Sequence, residues 1–171
     1  MPRRELLATC ASKAMCTKTS TERIEAAISA SLKRLDFREL RKSQELALHR
    51  FIEGNDVFVS LPTGSGKSLC YWMLPAAFNA LRDRADSIVI VVSPLKDQVQ
   101  SLTARSVKAI YVGDADDSTV EKITQGEYEI LFFSPENLLT NVDWRDVLQS
   151  PIFQERLVAF VVDEAHCVKD W

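Results

Sequence analysis

Apolar residues recur along this chain at two periods. Ile24, Ile28, Leu32 and Leu35 fall three or four positions apart, the spacing of one helix face, so a helix is expected over 20–35. Thr19 and Glu22 bracket its start as a capping box, the hydroxyl taking an orphan amide while the carboxylate reaches back. A second helix is expected over 43–52, stopped by Gly54-Asn55. Further on the pattern shortens to nearly continuous apolar runs at 56–60, 87–93, 109–112, 129–134 and 157–162. Runs of this length and character read as strands buried on both faces, as in a parallel sheet covered by helices. Between them lie helical stretches: one opening near Lys67 and running to Leu81 with a kink at Pro75, one over 95–105, one opened by a second capping box at Ser118 and Glu121, and pieces over 136–156. Strands that alternate with helices define an α/β fold, a three-layer domain around a parallel sheet.

Composition narrows the class. The 171 residues are 46% apolar and 26% charged, with 5 Gly and 6 Pro, which excludes collagen, low-complexity chains and disulfide-dense miniproteins. No run of apolar residues approaches the roughly 18 needed to span a bilayer, so no membrane partner is expected. The four cysteines, Cys10, Cys16, Cys70 and Cys167, form no CxxC pair, so they read as free thiols and not as a zinc site. Net charge is −3, which argues against a basic sponge for nucleic acid, but it is unevenly spread. Residues 1–50 carry 11 basic and 6 acidic side chains, whereas 51–171 carry 10 and 18. Residues 1–19 read as a flexible tail whose Ser/Thr content fits a disordered leader or a transit peptide.

Two motifs carry chemistry. LPTGSGKS at 61–68 follows an expected strand and precedes an expected helix, the context of a phosphate-binding loop. Pro62, Thr63, Gly64, Ser65 and Gly66 form the turn, in which glycines let successive amides face phosphate oxygens and the helix start adds partial positive charge. Lys67 is placed to reach β- and γ-phosphates, and the Ser68 hydroxyl to ligate Mg²⁺. The second motif, VVDEAHC at 161–167, delivers two carboxylates at the end of an apolar strand. Asp163 suits the Mg²⁺ shell, Glu164 suits polarising a water for attack on the γ-phosphate, and His166 follows at catalytic spacing.

LPTGSGKSLCY together with DEAHC resembles the first motor domain of superfamily 2 helicases, specifically the RecQ family. The resemblance covers about 30–171. It implies a RecA-like P-loop domain, ATP and Mg²⁺ as cofactors, and 3′→5′ unwinding of single-stranded or partly duplex DNA. FRELRKSQ at 37–44 resembles the family's adenine-reading motif, which implies that Gln44 and Arg41 bond the base and that Phe37 packs near it. SPLKDQVQSL at 93–102 resembles a DNA-contacting segment, implying roles for Ser93, Pro94, Lys96 and Gln98, although this chain is shorter than the family pattern between Leu95 and Lys96. FFSPENLL at 132–139 resembles a later DNA-strand motif with Ser134 on phosphate, and a helix start at Pro135 explains it equally. Trp171 would open the family's aromatic-rich loop.

The family pattern continues past Trp171 into a further strand and a second motor domain. On this resemblance residues 20–171 are a partial helicase ATP-binding domain, truncated at its C-terminus, with a gap in the sheet between the loop strand and the DEAH strand. Three other readings stay open: a different superfamily 2 motor such as an RNA helicase, a non-catalytic ATP- or DNA-binding module, and a small P-loop kinase. The implied location is the nucleus, on chromosomes, with the cytoplasm as the alternative.

Overall fold

Ile88–Val92 (β1) and Ile130–Phe133 (β3) contain no polar position, and the computed structural model buries every one of their residues. The structure describes residues 20–62, 64–93, 98–114, 116–140 and 142–165. Ala109–Tyr111 (β2) and Leu157–Val162 (β4) complete a four-stranded sheet in the order β2-β3-β1-β4. All three pairings are parallel, with Val89 opposite Ile130, Ala109 opposite Ile130, and Ile90 opposite Phe160. Their carboxyl ends therefore share one edge of the domain, where open α/β sheets place their ligands.

Continuously apolar strands need cover on both faces, and helices supply it. Thr21–Arg34 (α1), Lys42–Ile52 (α2), Leu69–Trp72 (α3) and Leu74–Arg82 (α4) close one face. Ile24, Ile28, Leu48 and Phe78 pack there against Val89, Val91, Ile130 and Phe132. Gln98–Thr103 (α5) adds Leu102 to the same core. On the other face Asp117–Gln125 (α6), Val142–Gln149 (α8) and Pro151–Arg156 (α9) bring Ile123, Trp144 and Phe153 onto Ile88, Ile90, Leu131 and Phe133. Pro135–Thr140 (α7) leads into that group from β3. Odd and even positions of β1 thus serve different cores, which makes three layers.

Several expectations are corrected in detail. The run 56–60 is not a strand: it is extended and joins no ladder among the described residues, and its Phe58 is 84% exposed. The physical reason is the lack of a hydrogen-bonding neighbour, because the sheet ends at β4 on that side. The helix expected to run to Leu81 with a kink at Pro75 is two, α3 and α4, which meet at Met73. Pro75 has no N–H to give to the carbonyl four residues back, so the kink becomes a break. The second capping box is also shifted. Asp116, not Ser118, caps α6, since its carboxylate accepts from the Thr119 N–H at 2.9 Å and the Thr119 hydroxyl at 2.6 Å. Ser20 caps α1, whereas Thr19 and the expected tail at 1–19 lie outside the described residues. α2 ends as expected, with Gly54 at φ +93° and the Asn55 N–H on the Arg50 carbonyl at 3.1 Å.

Candidate functional site

The loop after the extended run at 55–60 folds on its own carbonyls. The Ser65 hydroxyl donates to the Pro62 carbonyl at 2.6 Å, and Gly64 and Gly66 sit at φ +76° and +78°. Only glycine holds such angles without strain. Gly66 is required twice over, because a Cβ there would lie 2.9 Å from Gln44 Nε2. That amide nitrogen donates to the Gly66 carbonyl at 2.9 Å and the Ser65 carbonyl at 3.3 Å, while Oε1 accepts from the Arg41 N–H at 2.8 Å. Gln44 is 4% exposed, so its amide in this structure holds the loop on α2. Lys67 Nζ donates to the Leu61 carbonyl at 3.1 Å and reaches Pro62 at 3.5 Å. An ammonium so placed can turn from these neutral acceptors to an anion in the same loop.

Across from the loop, β4 ends at Asp163, whose N–H donates to the Val92 carbonyl at 2.9 Å and so locks it to the end of β1. The carboxylate is buried, and both of its oxygens accept hydrogen bonds. Oδ2 accepts from Tyr71 Oη at 2.9 Å and Gln98 Nε2 at 2.7 Å, and Oδ1 from the Glu164 N–H at 3.0 Å. Glu164 turns the chain at φ +52°, an uncommon angle for a residue with a side chain. Burial is the main reason the Tyr71 phenol is pushed far above its ordinary pKa, and the charge of Asp163 pushes it further. Burial likewise raises the Cys70 thiol to about 11, so it is neutral at pH 7, in keeping with a free structural thiol.

One cleft of about 450 Å³ joins these parts. Lys67 from the loop and Asp163 and Glu164 from the end of β4 line it together, continuing along Val57, Val59 and Val161. Phe37, Arg41 and Gln44 are not among its walls. Phe37 instead packs on the core with the Arg105 guanidinium 4.3 Å above its ring, and the Arg41 side chain is exposed.

The residues read as DNA contacts are dispersed. Ser93 is fully buried at the end of β1, with its N–H on the Phe133 carbonyl at 3.0 Å. The Ser134 hydroxyl accepts from the Asn137 N–H at 3.1 Å, the local bond that starts α7. Gln98 faces the Asp163 carboxylate. Thr63, Pro94, Lys96, His166 and Trp171 lie outside the described residues.

The donors fit Mg²⁺. They are hard oxygens, the Asp163 carboxylate, which accepts from the Tyr71 phenol at 2.9 Å, and the Ser68 hydroxyl, which follows Lys67 at the end of the loop and is not among the cleft's walls. Among the described residues no cluster of three or more His, Cys, Asp and Glu exists that would favour a zinc-like centre. Magnesium is commonly held by one or two protein oxygens with phosphates and waters completing its shell.

A glycine-turned loop with Lys-Ser, facing a carboxylate pair at the carboxyl end of a parallel sheet, defines a P-loop nucleotide-binding α/β domain. The DEAD/DEAH box helicase model matches residues 41–171, most of the chain, and the chain belongs to that family. The family is enzymatic: curated relatives are ATP-dependent helicases. One is ATP-dependent helicase SGS1 of Saccharomyces cerevisiae, 34% identical over 77% of this chain and 10% of its own length. Probable ATP-dependent DNA helicase RecS of Bacillus subtilis is 35% identical over 79% of this chain and 26% of its own. ATP-dependent DNA helicase Q5 of Rattus norvegicus is 36% identical over 75% of this chain and 14% of its own. The chain thus spans between a tenth and about a quarter of the curated relatives it matches.

Sequence reasoning missed Tyr71 and Gln98 as partners of Asp163. Tyr71 hides in the apolar run after the loop and reads as core, which most of its ring is. The signal available was a pair of polar side chains lying in sequence between the two motifs, too weak to find without the fold.

Proposed function

We propose that this chain is the ATP-binding part of a DNA helicase of RecQ type, one that moves 3′→5′ along single-stranded or partly duplex DNA. The observation that carries the reading is the meeting of Lys67, Asp163 and Glu164 in one cleft. Relatives named as ATP-dependent DNA helicases support the choice of substrate. Lys67 leaves its loop carbonyls for the β- and γ-phosphates, and the loop amides receive the remaining oxygens. Ser68 and Asp163 would hold Mg²⁺, which would supply positive charge against that developing on the phosphates. Glu164 accepts the proton of the attacking water. The resemblance to the helicase family implies that turnover draws on an arginine from a second motor domain. Such a residue is worth about 10³–10⁵ in rate, so the 171 residues alone hydrolyse ATP negligibly and do not unwind DNA. The working location is the nucleus, in DNA repair or recombination, with the cytoplasm as the alternative. Gln44 and Arg41 lie one step from the loop, and adenine recognition there requires Gln44 to exchange a loop carbonyl for the base.

Calorimetry tests the site. Lys67→Ala removes a charge-assisted phosphate contact and is expected to weaken Mg-ATP binding by about 1.5–3 kcal/mol. Equal affinity of the variant and the parent chain would overturn the assignment.

A further inference from the structure

Two groups from separate segments converge on the Tyr71 phenol. Asp163 comes from the end of β4 and Gln98 from α5, whose Oε1 contacts the phenol oxygen while its Nε2 donates to Asp163 at 2.7 Å. Tyr71 is itself 6% exposed and its ring packs in the main core, so the oxygen is held on a rigid mount. The carboxylate it serves is 9% exposed. A buried carboxylate is costly unless each oxygen has donors, and here Tyr71, Gln98 and the Glu164 N–H provide them.

We propose that Tyr71 and Gln98 are positioning residues that fix the Asp163 carboxylate for the cation, and that Gln98 makes the grip of Asp163 depend on where α5 sits. This rests on the nucleotide reading of the cleft. Two arguments carry it. First, the backbone fixes Asp163 and one carboxylate oxygen, through the Asp163 N–H on Val92 and the Glu164 N–H on Oδ1, whereas Oδ2 is held by the side-chain donors Tyr71 and Gln98. Outer hydrogen-bond partners of this kind orient ligands and tune metal affinity. Second, the phenol has one proton and two acceptors, Asp163 Oδ2 and Gln98 Oε1. While the carboxylate bears its full charge it takes the stronger, charge-assisted bond. When that charge is shared, the O–H can turn to Gln98 Oε1 as its acceptor, the proton staying on the phenol and no donor left unused. Gln98 lies on a six-residue helix that reaches the core through Leu102, so a displacement of α5 acts on the carboxylate directly.

The test uses the 171-residue chain, with ATP binding measured by calorimetry in EDTA and across a Mg²⁺ titration. Tyr71→Phe keeps the ring and removes the oxygen; Gln98→Leu removes the amide from a half-buried site. The gain in ATP affinity conferred by Mg²⁺ is expected to shrink about tenfold in Tyr71→Phe and about threefold in Gln98→Leu, at and below the low end for such partners. Affinity in EDTA should change less than twofold. A purely structural role would lower both affinities alike, and that result, or an unchanged Mg²⁺ gain in both variants, would overturn the proposal. Should Tyr71→Phe fail to fold by circular dichroism, the Gln98→Leu comparison decides. Lys67→Ala serves as the site control: if it binds ATP in EDTA as the parent does, the nucleotide reading itself fails, and not merely the positioning.

Discussion

β1 and β3 each have a strand on both edges and helices on both faces, and none of their residues is more than 3% exposed. β4, one position over, has a strand on a single edge, and its Phe160 and Val162 are 42% and 41% exposed. Beyond it the run at 56–60, in which Val57, Phe58 and Val59 lie between Asp56 and Ser60, joins no strand among the described residues and leaves Phe58 84% exposed. Apolar residues therefore have opposite fates on the two sides of one sheet. An apolar run states what a segment can bury, whereas a strand also requires a neighbour to take its N–H and C=O groups. The chemistry sits on the less covered side, where Lys67, Asp163 and Glu164 line the cleft between that run and β4.

The largest effect that separates the two sides is expected from their phenylalanines. Phe132 is fully buried between β1 and β2, and Phe132→Ala should cost about 3–5 kcal/mol in urea unfolding. Phe58→Ser should stay within about 0.5 kcal/mol. Comparable losses would show that the run at 55–60 is as well packed as the centre of the sheet.

Within the open side, the two loop glycines sharpen the contrast between space and conformation. Gly64→Ala meets no atom within 4 Å, so only its positive φ opposes the change, by about 1 kcal/mol. Gly66→Ala adds a contact 2.9 Å from Gln44 Nε2, and is expected to cost about 1–3 kcal/mol. The excess should vanish in a Gln44→Ala background, which unfolding midpoints of the four chains would measure.

How much of this was legible beforehand follows from the range of the interactions. β1, β3 and β4 were readable because uninterrupted apolar runs have few alternatives once Gly, Pro and Ser punctuate them. The loop and the DEAH segment were readable because each motif is local, and the cleft brings Lys67, Asp163 and Glu164 from them together. Gln44 was read as a base-binding side chain, but its amide closes bonds to carbonyls 21 and 22 residues away, which no local pattern encodes. The Tyr71–Asp163 bond spans 92 residues and Gln98–Asp163 spans 65, and both appear only when the sheet aligns its carboxyl ends. The strand at 56–60 failed for the complementary reason, since the missing term there is a neighbour.

The smallest effect concerns what holds β4 to the covered side at its amino end. Asp86, just before β1, accepts from Arg84 Nε at 3.0 Å and Arg84 NH2 at 2.9 Å. Arg84 also pairs with Glu155 at 2.6 Å, and Arg156 Nε lies 3.4 Å from Asp86. Glu155 and Arg156 lead directly into β4, so the cluster ties the start of that strand to the start of β1. The hydrogen bonds from Arg84 are the main reason the Asp86 carboxyl titrates below its ordinary value, and Arg156 adds to the lowering. A depressed folded-state pKa contributes stability above the unfolded value, near 3.9, and the contribution is lost as the pH falls through the folded value. Because these groups are partly exposed, Asp86→Asn should cost less than about 1 kcal/mol at pH 6. The gap between parent and variant should narrow below about pH 4 and shrink in 1 M salt. Urea unfolding at pH 6 and pH 3 measures both. A gap that persists unchanged at pH 3 would mean that the cluster acts through packing, and that β4 keeps its register against β1 without help from charge.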